Sequence, residues 1–115
     1  MTYSNLANAA SLLWHAYKSL PSPCSEVNWA GFYVLDHSRP SQLILGPFQG
    51  KVACQIIAFG RGVCGTAAST ETTQLVHNVD DFPGHISCDG DSKSEIVVPI
   101  LVHGKVVGII DVDCC

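Results

Sequence analysis

Apolar positions along the chain fall into two periodicities. Leu6, Ala9, Ala10, Leu13, Ala16, Tyr17 and Leu20 recur at helical spacing, and Pro21-Ser22-Pro23 stops the run. This predicts one amphipathic helix over residues 3–20. From Val27 to Leu35 the residues are β-prone, with Trp29, Gly31, Tyr33 and Leu35 on one face. A short strand is expected at 43–45, interrupted by Gly46, Pro47 and Gly50, and another at 52–58 carrying Cys54. The glycine-rich turn Phe59–Gly65 should lead into a short helix over 66–69. A strand follows at 74–79, then a long polar loop over 80–94. Residues 95–102 and 105–113 read as two strong strands joined at His103-Gly104, where glycine permits a tight hairpin. The expected fold is α+β: about six mostly antiparallel strands with the helices packed on one face.

Composition narrows the picture. The chain has 115 residues, enough for a single domain over 1–115, with 47% apolar and 14% charged residues. Net charge is −4, and eight of the ten acids lie between Glu71 and Asp113. With no basic stripe or run, nucleic acid and anionic membrane are poor partners, whereas a cationic group on a ligand suits the balance. No apolar stretch is long enough to span a membrane. No basic n-region precedes Leu12-Leu13-Trp14, which is too short for a signal sequence, so a cytoplasmic address is expected, with the nucleus left open. In a reducing compartment, Cys24, Cys54, Cys64, Cys88, Cys114 and Cys115 read as metal ligands, redox groups or core residues rather than a disulfide framework.

Cys54, Cys64 and Cys88 lie in or beside the irregular central region. A helix start with Arg61 nearby favours a thiolate at Cys64. Cys88 is an exposed loop thiol three residues after His85, although Asp89 disfavours its anion. All three also read as small core hydrophobes. A zinc site is a rival: His85 and Cys88 have ligand-like spacing, and His77, Cys54 and Cys64 could complete it, though no Cys-x-x-Cys pair exists. Cys114 and Cys115 are adjacent, which is poor geometry for a mutual disulfide. Asp111 and Asp113 share one strand face and repel unless a cation lies between them, or else they simply face water. The hairpin register brings Glu95 close to Asp111, so three acids gather at one sheet end as an ammonium or metal site. Trp29 and Tyr33 share a face, either as core packing or as the wall of an apolar pocket.

Several segments together carry a family resemblance. Asn28-Trp29-Ala30-Gly31-Phe32-Tyr33, Leu45–Lys51, Phe59–Ala68, Phe82–Asp89, Ser94–Pro99 and Gly108–Asp113 resemble the GAF-fold free methionine-(R)-sulfoxide reductases over nearly the whole chain. The resemblance implies reduction of free L-methionine (R)-sulfoxide, with thioredoxin as eventual reductant and no metal or organic cofactor. By motif, Cys88 matches the attacking cysteine, and Cys54 and Cys64 match resolving positions. Trp29 and Tyr33 match the aromatic pocket around the substrate methyl end. Glu95, Asp111 and Asp113 match the acids that hold the amino group and help protonate the sulfoxide oxygen. Because a loop at Cys88 can travel and a strand at Cys54 can face the pocket, a Cys54–Cys88 disulfide is the expected main product, with Cys64 secondary. Family members carry a longer N-terminal helical region and a C-terminal helix that this chain is expected to lack, and a homodimer is compatible with the reading. A GAF sensor without turnover and a zinc- or disulfide-stapled domain are the competing readings. The three central cysteines with Glu95, Asp111 and Asp113 favour the reductase.

Overall fold

The computed structural model describes residues 2–115. Helix α1 spans Tyr3–Lys18, capped where Asn5 N–H reaches the Thr2 hydroxyl at 3.4 Å. It ends two residues before the sequence pattern does, because Ser19 already caps the last carbonyls and the chain then turns. Strand β1 spans Val27–Leu35, β2 Gln42–Gly50, β3 Ile56–Ala58, β4 Gln74–Val76, β5 Ser94–Val102 and β6 Lys105–Cys114; helix α2 spans Gly62–Thr70. The sheet order is β3-β2-β1-β6-β5-β4, and every pairing is antiparallel.

The helices do not share a face, contrary to expectation. Leu6 and Ala10 of α1 pack on Phe32, Val34 and Ile110, while Val63, Cys64, Ala67 and Ala68 of α2 pack with Tyr33, Leu43, Val97 and Ile109. Strand β1 is apolar on both faces, so each face requires its own cover. Aromatic and acidic residues at odd positions of β1 and β6 consequently look toward α2.

Three local expectations also change. Strand β2 continues through Gly46 and Pro47, because β3 pairs only with Gln42–Ile44 and leaves this half of β2 at the sheet edge, where proline is tolerated. The bulge between Gly31 and Tyr33 in the β1–β2 register absorbs the irregular residues. Strand β3 is only three residues long, so Cys54 lies in the β2–β3 connection rather than on a strand. Helix α2 starts four residues early, which puts Cys64 inside its first turn. Gly62 enables this with φ +63°, and at Gly65 even a methyl group would collide with the Ala58 carbonyl. Strand β4 stops at Val76, since Val79 turns inward to be buried and Val79 N–H bonds the Lys93 carbonyl at 2.8 Å.

Candidate functional site

The β5–β6 hairpin sets the acidic floor of the site. His103 and Gly104 both have positive φ, as a two-residue I′ turn requires. Beyond it, Leu101 pairs with Val106 but Ile100 pairs with Gly108, so Val107 is an extra residue on β6. That bulge shifts the register by one. Glu95 therefore stands opposite Asp113, and Val97 opposite Asp111. An unbulged hairpin would have set Glu95 against Val112, on the other face. The expected three-acid cluster forms, but the direct partner of Glu95 is Asp113, with Asp111 on the diagonal.

All three acids are buried. Trp29 Nε1–H donates to Asp111 Oδ2 at 3.2 Å, and His85 Nε2 lies 3.8 Å from Glu95 Oε1. Asp111 Oδ1 and Asp113 Oδ1 have no hydrogen-bond partner among the described residues. Burial, followed by the hydrogen-bonding and charge of Glu95, pushes the Asp111 carboxyl well above the usual carboxylate range. Burial first and the Glu95 charge second raise Asp113 as well. Asp113, raised to about 8, thus holds its proton near neutrality unless a cation replaces it, and Asp111 is pushed the same way.

Cys64 enters the cluster from α2. Its thiol donates to Glu95 Oε2 at 3.5 Å. The thiolate expected from a helix start beside Arg61 is not supported, because burial and then the charges of Asp111, Glu95 and Asp113 push its pKa well up. Desolvation and three acids outweigh one turn of helix dipole.

The other two central cysteines form a disulfide, Cys54–Cys88, with Cα atoms 5.4 Å apart. Cys88 is half-buried rather than exposed. Each end of the bridge is held. The Tyr33 hydroxyl donates to the Cys54 carbonyl at 2.6 Å. Asn28 Nδ2 donates to Asp89 Oδ2 and Ser92 Oγ, both at 2.8 Å, and Lys51 Nζ lies 3.4 Å from Asp89 and 3.2 Å from Asp91. The Asp91 backbone N–H and the Asn28 amide hold the Asp89 carboxyl below its usual range.

Trp29 and Tyr33 do line the pocket, together with Cys64, Cys88, Glu95, Asp111 and Asp113. Phe48 packs edge-on against both rings, with centroids 5.2 Å from Tyr33 and 6.3 Å from Trp29. In this disulfide state the pocket offers only about 20 Å³, close to the room one water needs. The zinc set of His77, His85 and the three cysteines is not assembled, since Cys54 and Cys88 are bonded to each other and His77 lines other surface hollows.

Asn28 and Phe48 had no assigned role in the sequence. Asn28 sits at an even position of β1 among inward apolar residues, and only the bulge between Val27 and Trp29 turns it toward the loop. No pattern signal marks it apart from its place in the Asn28–Tyr33 motif.

An antiparallel six-stranded sheet between two helices, with a thiol-and-acid pocket under the α2 side, defines a GAF-type domain. The GAF domain family model matches residues 6–115, and the chain belongs to that family. It is 65% identical over 111 residues to the free methionine-R-sulfoxide reductase of Saccharomyces cerevisiae, a match covering 96% of this chain and 60% of that protein. Identity to the free methionine-R-sulfoxide reductase of Escherichia coli is 46% over 110 residues, covering 96% and 61%. The structure of free methionine-R-sulfoxide reductase from Neisseria meningitidis in complex with its substrate matches with TM-score 0.86 at 44% identity, covering 97% of this chain and 62% of that one. The chain thus spans about three-fifths of the length of these relatives.

Proposed function

We propose that residues 1–115 act as one GAF-like unit that reduces free L-methionine (R)-sulfoxide to L-methionine. The observation that carries this reading is the meeting of a disulfide-bonded cysteine pair with three buried acids in one aromatic-walled pocket. The Cys88 thiolate attacks the sulfoxide sulfur, and a carboxyl of the Glu95–Asp113 pair supplies the proton that the oxygen needs. The substrate S–O bond breaks, methionine leaves, and Cys88 carries the oxygen as a sulfenic acid. The Cys54 thiol then attacks the Cys88 sulfur, releasing water and forming the Cys54–Cys88 disulfide. A dithiol reductant of the thioredoxin class returns both thiols, and a reducing compartment such as the cytoplasm suits that cycle.

Each residue type matches a feature of the substrate. Trp29 and Tyr33 wall the methyl end, while Glu95, Asp111 and Asp113 attract a free ammonium group, which peptide-bound methionine lacks. Cys64, protonated and bonded to Glu95, serves as secondary resolving thiol. The narrow pocket of the disulfide state fits the reading that substrate enters the reduced form, in which Cys88 is free of Cys54.

The test couples thioredoxin, its reductase and NADPH consumption to three substrates: the free (R)-sulfoxide, the free (S)-sulfoxide and a peptide-bound sulfoxide. Turnover with the first alone is expected, and Cys88→Ser should abolish it. Equal turnover of the peptide-bound form would remove the ammonium argument. Full activity in Cys88→Ser would move the nucleophile elsewhere.

A further inference from the structure

Cys64 Sγ, a Glu95 carboxylate oxygen and an Asp111 carboxylate oxygen all lie within 4.8 Å of one another, and all three residues are buried. Recognition of an ammonium group accounts for the acids, and a secondary resolving role for Cys64 does not require its sulfur to sit against two of their carboxylates. A second observation points to a cation: Asp111 Oδ1 and the neighbouring Asp113 Oδ1, both buried in this pocket, have no hydrogen-bond partner among the described residues. A third concerns size. The disulfide state leaves about 20 Å³, too little for an amino acid and about the room of one water-sized occupant.

We propose that Cys64, Glu95 and Asp111 form a binding site for a borderline-soft divalent cation of the zinc class, occupied in the Cys54–Cys88 disulfide state. One sulfur and two carboxylate oxygens suit Zn²⁺ or Co²⁺, at about 2.3 Å to sulfur and 2.0–2.2 Å to oxygen. Mg²⁺ and Ca²⁺ prefer all-oxygen shells with more ligands, so they are disfavoured. Donor atoms now within 4.8 Å need only contract toward a common centre. The fourth ligand is a water from the pocket, as in zinc sites with three protein ligands. Binding exchanges the Cys64 proton and any carboxyl protons for the metal and changes no oxidation state. Given the reductase reading, the ion occupies the seat of the substrate ammonium, so zinc and substrate exclude each other.

The test uses Co²⁺ and Zn²⁺ on the oxidised chain, where Cys54 and Cys88 cannot ligate. Cys24, Cys114 and Cys115 are changed to serine so that Cys64 is the remaining thiol. One equivalent of Co²⁺ should give a thiolate-to-cobalt charge-transfer band with tetrahedral visible bands, and Zn²⁺ should displace it. Cys64→Ser should remove the thiolate band and weaken Zn²⁺ binding about 100-fold, the upper end of what losing a mere supporting partner costs. Glu95→Gln should weaken binding while keeping the band at saturating metal, and near-UV circular dichroism checks that both variants stay folded. Absence of the band in the parent, or its persistence in Cys64→Ser, overturns the site. No turnover is required, so failure here is distinct from failure of the proposed reaction, which the coupled assay reads alone.

Discussion

Cys64 Sγ points its proton at Glu95 Oε2 across 3.5 Å, inside a wall of three buried acids. The carboxyl thus protects the thiol instead of activating it. A thiolate formed there would face Glu95, Asp111 and Asp113 without water to screen them. Under the proposed reaction the nucleophile is Cys88, which lines the same pocket from the loop.

Cys64 should accordingly be the slowest thiol to alkylate in the native, reduced chain at pH 7.5. Iodoacetamide labelling followed by peptide mass mapping checks the order. Labelling of Cys64 ahead of Cys88 would show that the acids do not hold its proton.

Asp113 gives a pH dependence with a defined sign. Its carboxyl is raised to about 8 in the folded chain, burial first and Glu95 second, whereas an unfolded Asp titrates near 3.9. Between those values the folded state binds more protons than the unfolded one, so stability falls as pH rises from about 4 to about 8. Asp113→Asn removes the proton-dependent cost. Urea unfolding should find this variant more stable than the parent by on the order of 1–3 kcal/mol at pH 8, with a smaller difference at pH 5. Its KM for the free sulfoxide should rise steeply. Equal parental stability at both pH values would mean the acids are ionised and neutralised another way.

Tyr33 reaches past the pocket to the Cys54 carbonyl at 2.6 Å. Burial and the surrounding acids raise the phenol well above its ordinary range, so it stays a donor at any working pH. Tyr33→Phe should slow disulfide formation about tenfold after one equivalent of sulfoxide while leaving methionine release in the first turnover unchanged. Quenched-flow mass analysis separates the two steps. Unchanged disulfide formation would reduce Tyr33 to a wall residue.

Gly31 makes room for the aromatic wall. A Cβ there would sit 2.7 Å from the Phe48 backbone Cα and against the Phe48 ring, which packs on both Trp29 and Tyr33. Gly31→Ala should cost about 1–3 kcal/mol in stability and raise the KM for the free sulfoxide. Denaturation and steady-state kinetics check both. A silent substitution would show that β1 and β2 can part without disturbing the pocket.

Sequence alone determined most of the elements, because their periodicities record which side of each element meets the core. The N-terminal helix (though not its last two expected residues), strand 27–35 and the hairpin at His103-Gly104 all follow from patterns of a few residues. The same is true of the candidate residues. Trp29 and Tyr33 share a face by alternation, as do Asp111 and Asp113, and the family resemblance of the surrounding motifs singles out Cys54, Cys64 and Cys88. Tertiary structure decided how these groups act on one another. One inserted residue at Val107 chose the face of Glu95, and another at Asn28 turned its amide onto the Cys88 loop. Opposite placement of the two helices buried Cys64 among acids and reversed the protonation expected from its helix start. Bulges and burial arise from contacts between segments distant in the chain, and local periodicity carries no record of them.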